Sequence, residues 1–528
     1  MAIFPVIMQN KIFIITLIAY LVLAFIFLPY FRYQTDTDGV SNIAEAQKIA
    51  AGNFAGALNA SWPPTFPLTI ALFLACGLSP IPAARIALIL TGLFLFFAVR
   101  SLSYRFELTE LTRNLVYFIL IPVTLYIALF TIKSDLLFAI FVIYYFSYIF
   151  KPDYTKRVGN TIICGVFASL AYLTKSYALL FFILNFSVLS LFYFIKNYKT
   201  SGMRIVINTL TGAAVFLLIV ILWNSALYTK YHQVMIGKVA DYNWRALNPN
   251  HFGQPMHNEG LLPPPDNASY SSLDDFTILT DLMPQWSPFE SKENLKYTIN
   301  RIVANTITMF GIYESFTFLW IFILFAYFLI CLFPVREFTQ KEETLPFLSV
   351  ILFPLGYLPL IIFERYLLPV NILLLLMGAH LLTLLLKSKF FTKSRKIALI
   401  SLFTLSFVIP PPYFIHHLKE NKRNYTNVYN ISRVLKEDYG VGGNIASFNN
   451  WWDGVTISFY LNSRYYGESG FRYRSAEEFY NDLIKYKINY YLVWGQSPYD
   501  KWLKNTFEHF SVRQPEFDKE EIWVYRVR

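Results

Sequence analysis

The chain of 528 residues is 55% hydrophobic and 19% aromatic but only 15% charged, with a mean hydropathy of +0.42. A chain this apolar has too little polar surface to cover a soluble fold, and its apolar residues gather in runs of about 17–25, the length that crosses roughly 30 Å of hydrocarbon. The net charge of +11 does not point to nucleic acid, because the basic residues cluster in short loops between those runs and the tail after His416 is nearly balanced.

The first run, 12–30, is too long for a signal-peptide core and lacks a small-residue cleavage site, so it reads as a retained first span. Further spans are expected at 84–102, 114–131, 135–150, 158–174, 177–195, 205–228, 313–333, 345–362, 367–386 and 397–414. The apolar piece Phe66–Leu78 is bracketed by Pro63, Pro64, Pro67, Pro80 and Pro82 and is too short to cross, so it is expected to lie at the interface. With about eleven spans and the N-terminus inside, the basic clusters fall on the cytoplasmic side, as the positive-inside rule requires. These are Arg100, Arg105 and Arg113; Lys151, Lys156 and Arg157; Lys196, Lys199 and Arg204; and Lys387, Lys389, Lys393, Arg395 and Lys396. The first outer loop (32–83, with juxtamembrane helices), the large loop 229–301, the turns at Lys133 and Lys175, and the tail then face outside. The expected fold is an all-α polytopic membrane protein over 1–414 with a small extracytoplasmic α/β domain over 415–528. In that tail "GGNIASF", "INYYLVWG" and "EIWVYRV" read as strands, and "SAEEFYNDLIKYK" and "PYDKWLKNTFEHF" as helices. Cys76, Cys164 and Cys331 lie within apolar runs and form neither a disulfide framework nor a metal-ligand spacing.

Charges beside hydrocarbon are costly and call for a reason. Asp36 and Asp38 follow the first span; Gly39 allows a turn, and Ser41 can cap a helix ending near Gly52. The plain reading is a solvated loop; the pair could also bind a divalent cation through oxygen ligands. In "TIKSDLLFAIF", Lys133 and Asp135 open a span, either as a local charge pair or as part of a site. Lys175 sits in a tight turn in "LAYLTKSYALLFF", snorkelling or binding an anion. In "PLIIFERYLLPVNILLLL", Glu364, Arg365 and Tyr366 interrupt nearly continuous hydrocarbon. Glu364 and Arg365 either compensate each other, or the planar guanidinium is held there for a phosphate. His251, His257 and Glu259 in the 229–301 loop are further metal candidates without a strong spacing pattern. Asn59-Ala-Ser and Asn267-Ala-Ser match the glycosylation triplet.

Taken together, "DGVSNIAEAQKIAAGNF", "WPPTFPL", "SLAYLTK" and "ERYLLPV" resemble motifs of the GT-C superfamily of membrane glycosyltransferases, nearest to the protein O-mannosyltransferases and the lipid A aminoarabinose transferases. The likeness covers about residues 1–400. It implies transfer of a sugar from a polyprenyl-phosphate donor to a lipid, polysaccharide or protein acceptor at the outer face of the cell membrane, with inversion. It also implies roles: Asp38 as general base with Asp36 as understudy, and Asp135 orienting the base or acceptor. Arg365, Lys175, Tyr366 and, more weakly, Arg85 would hold the donor phosphate, with Glu364 and Trp62 in support. One departure stands out. Those families carry an Asp-Glu pair where this chain has Asp38-Gly39, which leaves open whether a divalent metal takes part. A lipid-linked-sugar transporter, or a polymerase or ligase moving whole glycans, is the alternative. Transport is disfavoured because the polar residues gather at one face and no repeat is visible.

Overall fold

In the computed structural model the described residues are 3–528 without 251–254, 334–343, 409–412, 471, 474 and 514–520; side chains are described outside 3–10, 257–258, 408 and 413–424. His251 lies outside the described residues, as does the side chain of His257. Helices dominate the first four-fifths, and their apolar faces point outward: Ile14, Ile15, Ile18 and Val22 on Ile3–Phe27, Leu217, Leu218, Ile221 and Leu222 on Tyr177–Tyr231, and Phe322 and Phe325 on Trp320–Leu332 are all exposed. Such a belt is solvated by lipid, whereas water would penalise it.

Among the described residues, five helices are long and apolar enough to cross a membrane: Lys11–Tyr30, Pro80–Ser103, Glu110–Phe130, Tyr177–Tyr231 and Glu364–Lys387; a bent pair makes up to six. The expected eleven are therefore not all present as full-length spans, and the local chemistry says why. Tyr177–Tyr231 has 55 residues, about 80 Å at 1.5 Å per residue, and breaks at Asn197 and Ser201, where the backbone leaves helical geometry. The expected span 313–333 is interrupted instead of continuous. Lys292–Phe316 and Trp320–Leu332 meet at 103° around Thr317, whose hydroxyl caps the Leu319 N–H and reaches Ser406. The expected span 345–362 is α-helical over Thr344–Leu352 and tightens to a 3-10 turn at Phe353–Gly356, after which it ends because Pro354, Gly356 and Pro359 do not continue a helix. The carbonyls freed there do not go unmet: Asn305 Nδ2 donates to Leu358 O at 2.7 Å and Leu360 O at 3.2 Å. Phe66–Leu78 proves to contain the helix Thr65–Ala75, which at 11 residues reaches about 16 Å.

Packing between spans uses small and polar groups, as expected where no hydrophobic effect separates helix from lipid. A Cβ on Gly165 would stand 2.5 Å from Gly212 O, so Val158–Tyr172 and Tyr177–Tyr231 touch backbone to backbone. Tyr145 donates to Asn185 Oδ1 (2.8 Å) and Asn185 to Ser349 Oγ (3.1 Å), joining three helices inside the bundle.

The C-terminal part forms a five-stranded sheet in the order β2-β1-β3-β5-β4, with β1 Asn444–Phe448, β2 Arg464–Glu468, β3 Tyr490–Trp494, β4 Glu508–Arg513 and β5 Glu521–Arg526. The first three strands are parallel and joined through Trp451–Tyr460 and Ala476–Lys485; β4 and β5 form an antiparallel pair. Glu508–Phe510, expected at the end of a helix, belongs instead to β4; its helix stops at Thr506. The free edge of β2 is covered by the 229–301 segment: Tyr465 N donates to Tyr270 O (2.6 Å) and Leu262 N to Tyr466 O (2.7 Å). Tyr460 donates to Tyr33 O at 2.6 Å, and Tyr33 stacks on Tyr429, which places the α/β unit against the start of the acidic stretch.

Candidate active site

Four chain breaks at one end of the bundle supply the charged residues. Asp36 caps the helix Thr37–Ala50, its Oδ1 accepting from Gly39 N at 2.8 Å, and Asp38 lies in the first turn. Lys133 lies in the linker 131–134 between Glu110–Phe130 and Asp135–Ile149, and Asp135 opens the second of these helices. Lys175 sits in the turn between Val158–Tyr172 and Tyr177–Tyr231. Arg365 and Tyr366 form the short 3-10 turn Glu364–Leu367 leading into Leu368–Lys387.

These residues form a line of alternating charge. Lys133 Nζ is 2.8 Å from Asp36 Oδ2 and 2.7 Å from Asp38 Oδ2. Arg365 Nη2 is 4.0 Å from Asp38 Oδ2, and its Nε is 3.2 Å from Asp135 Oδ2; Asp135 Oδ1 takes Lys175 Nζ at 2.5 Å. Three carboxylates thus face three cations, which lets charge persist where single ions would be neutralised. Accessibility divides the line. The side chains of Asp38, Arg365 and Lys175 are 35%, 23% and 20% exposed, against 13%, 11% and 5% for Asp36, Lys133 and Asp135. One carboxylate and two cations are therefore the more accessible members of the line, and the other three are more enclosed. The widest gap in the line, 4.0 Å, lies between Asp38 and Arg365.

Burial works against the charge of Asp38, but the Lys133 ammonium and then Arg365 more than offset it, holding the carboxyl below its ordinary value. Burial pushes Lys175 down to about 8 even though Asp135 pulls the other way. Its ammonium lies 3.5 Å from the Tyr366 ring centroid, a cation–π contact, and Tyr366 stacks on Tyr357, which stacks on Tyr177. Arg365 Nε, although near Asp135, has no hydrogen-bond partner among the described residues, so the guanidinium is not saturated.

Other expected site residues take different places. Arg85 is fully buried beneath the line, donating from Nη1 to Leu129 O (2.6 Å) and from Nη2 to Gln34 O. There the guanidinium joins the end of the Glu110–Phe130 helix to the stretch before Asp36, while its Nε has no hydrogen-bond partner among the described residues. Glu364 is exposed and makes no ion pair among the described residues; Arg365 turns to Asp38 and Asp135 instead. Trp62 donates from Nε1 to Leu273 O (3.1 Å) and packs on Phe276, tying the first loop to the 229–301 segment. The "WPPTFPL" stretch is anchored to the Lys175 turn by Thr65, whose N–H and hydroxyl both donate to Leu173 O. Among the described residues no group of three or more His, Cys, Asp and Glu is arranged to hold a metal ion, and the Glu259 carbonyl accepts from Arg472. Asn59 is buried, its amide donating to Asp274 O and Glu45 Oε1, whereas Asn267 is exposed with Arg464 on its oxygen. Lys133, read from sequence only as a possible partner of Asp135, binds Asp36 and Asp38 instead.

No protein-family model and no curated protein sequence matches the chain. Solved structures do. ArnT from Cupriavidus metallidurans bound to undecaprenyl phosphate matches with a TM-score of 0.56 at 12% identity, over 96% of this chain and 97% of that one. Its apo state gives 0.57 at 12% identity, over 97% of each chain. The archaeal oligosaccharyltransferase AglB from Archaeoglobus fulgidus, in complex with an inhibitory peptide and a dolichol-phosphate, gives 0.53 at 11% identity, over 93% of this chain and 70% of that one. Identities this low speak to architecture alone, and in architecture the chain shares the fold of these two membrane proteins over nearly its whole length.

Proposed function

We propose that the protein is a membrane glycosyltransferase that moves a sugar from a polyprenyl-phosphate-linked donor to an acceptor hydroxyl at the outer face of the cell membrane. The N-terminus is cytoplasmic in this reading and the α/β unit extracytoplasmic. The observation that carries it is the division of the charged line: an accessible carboxylate, Asp38, opposite two accessible cations, Arg365 and Lys175. An acceptor hydroxyl is a weak nucleophile and needs a base as its bond to the anomeric carbon forms. Asp38, kept ionised by Lys133 and Arg365, takes that proton. On the opposite side the sugar–phosphate bond breaks, and the lipid phosphate leaves with added negative charge, which Arg365 and Lys175 stabilise. Asp135 holds both cations in place from behind. A single displacement of this kind inverts the anomeric centre. The undecaprenyl phosphate bound to ArnT and the dolichol-phosphate bound to AglB support the donor class.

The test is direct. The full chain in lipid nanodiscs is incubated with a panel of radiolabelled polyprenyl-phosphate sugars and membrane extract as acceptor source. Transfer from at least one donor, with an anomeric configuration opposite to that of the donor, is the expected result. Binding of the lipid without transfer from any donor, together with its movement between leaflets, would favour the transporter reading instead.

A further inference from the structure

The place between Asp36 and Asp38 is where a divalent cation would sit. Their Oδ2 atoms converge on one point, as carboxylates do around Mg²⁺ or Ca²⁺ at about 2.0–2.6 Å. That point is filled by Lys133 Nζ, 2.8 and 2.7 Å from the two oxygens. The fit is built from several directions. Arg85 grips both Leu129 O and Gln34 O, and Gln34 Nε2 donates to Phe130 O at 2.6 Å, so the helix end that leads into the Lys133 linker and the segment entering Asp36 are fastened together. Gly39 allows the close approach: a Cβ there would stand 2.8 Å from Thr35 Oγ1 and 3.1 Å from Ile132 Cβ. A glutamate following Asp38 would not fit this arrangement, and the second carboxylate comes from Asp36 instead.

We infer that Lys133 is a positioning residue that stands in for a divalent cation, an internal ammonium that orients Asp38 and balances the Asp36–Asp38 pair so that transfer needs no added metal. The inference rests on the proposed reading of Asp38 as base and deepens it. A metal and the ammonium cannot occupy the point together, since both are cations requiring the same two oxygens. An ammonium tethered to the chain is not lost by dilution or chelation, and its contacts to both carboxylates hold them in place.

The experiment uses the full chain in nanodiscs and has two arms. In the transfer arm, wild type keeps its rate in EDTA, while Lys133→Ala loses about 100-fold and regains at least about tenfold on adding Mn²⁺ or Mg²⁺. A lysine that merely supported the fold would give no such rescue. In the binding arm, which needs no turnover, Mn²⁺ electron paramagnetic resonance shows one bound ion in Lys133→Ala, none at this site in wild type, and none in the Lys133→Ala/Asp36→Asn double variant. Lys133→Gln, closer in size, serves if the alanine variant unfolds. Wild-type transfer lost to EDTA and restored by a divalent ion would overturn the inference, as would a folded Lys133 variant that neither binds Mn²⁺ nor is rescued by it. Should no sugar be transferred by any form, the proposed function fails, while the Mn²⁺ arm still decides the place of Lys133.

Discussion

The helix Thr37–Ala50 carries two clusters of buried or half-buried charge, and they differ in kind. At its start, Asp36 and Asp38 join a line that ends in accessible cations. Two turns on, Glu45 and Lys48 are enclosed: Lys48 Nζ meets Glu45 Oε1 at 2.8 Å, Asp266 Oδ2 at 2.9 Å and Ser269 Oγ at 3.0 Å, and Asn59 Nδ2 reaches Glu45 Oε1 at 3.2 Å. Nearby, Asp274 accepts from Ser41 Oγ and from the backbone N–H groups of Tyr270 and Ser271. Burial pushes Glu45 up to about 7, with Lys48 opposing and Asp274 adding to the rise. Burial disfavours the Lys48 ammonium too, but Glu45 and Asp266 outweigh it and raise its pKa; Lys48–Asp266 is thus the lasting ion pair, and Glu45 holds a proton until near neutrality. The same residue types in the same helix serve two ends. Where partners are carbonyls, amides and a single enclosed cation, charge fastens one segment to another. Where the cations stay open to solvent, charge is available for chemistry.

Five substitutions or conditions can break or sharpen this contrast. Asp38→Asn is expected to lower transfer by about 10²–10⁴-fold, the usual worth of a general base, with a thermal midpoint near that of wild type because the residue is accessible. Arg365→Ala is expected to cost about 10²–10³-fold, mainly through the bound phosphate, and Arg365→Lys to restore little, since Lys lacks the planar fork. Donor binding by wild type should also weaken as pH rises through about 8, where Lys175 gives up its proton, and a flat profile up to pH 10 would remove Lys175 from the phosphate site. Lys48→Ala leaves buried carboxylates without their cation and is expected to destabilise by about 3–5 kcal/mol in thermal or chemical unfolding, with transfer per folded molecule little changed. Glu45 gives the smallest effect. Its folded pKa is raised from 4.5 to about 7, so the folded state holds a proton that the unfolded chain releases; stability is greatest below pH 4.5 and declines as pH rises to about 7. Glu45→Gln should flatten that decline in a melting series, and an unchanged slope would assign it to another group.

Much of the site was legible because polar groups beside hydrocarbon announce themselves. Asp38, Asp135, Lys175 and Arg365 stood out in apolar surroundings, and the structure brings all four together. Two things were not legible. Lys133 has Asp135 two residues away, and sequence distance favours that pairing; only the fold shows that the linker turns its ammonium to Asp36 and Asp38. Arg85, which the resemblance implied as a weaker phosphate ligand, donates to two backbone carbonyls, and sequence cannot reveal those contacts. The span pattern shows the same limit. Apolar length predicted 345–362 as one crossing, yet Pro354 and Pro359 end the helix and create the irregular stretch that leads to Arg365. In the α/β unit, β1, β3 and β5 were readable from dense β-branched and aromatic residues. β2 has Arg, Gly and Glu among its five residues, and its edge pairs with Tyr270 and Leu262 far away in sequence.

The central claim is that the carboxylate open to Arg365 and Lys175 does the chemistry while the enclosed one only fastens. Asp38→Asn and Glu45→Gln, compared side by side in nanodiscs for transfer rate and polyprenyl-phosphate binding, test it most directly. Asp38→Asn is expected to bind the lipid as wild type does but to lose transfer by at least about 100-fold, while Glu45→Gln keeps both. Transfer surviving in Asp38→Asn and lost in a folded Glu45→Gln would contradict it.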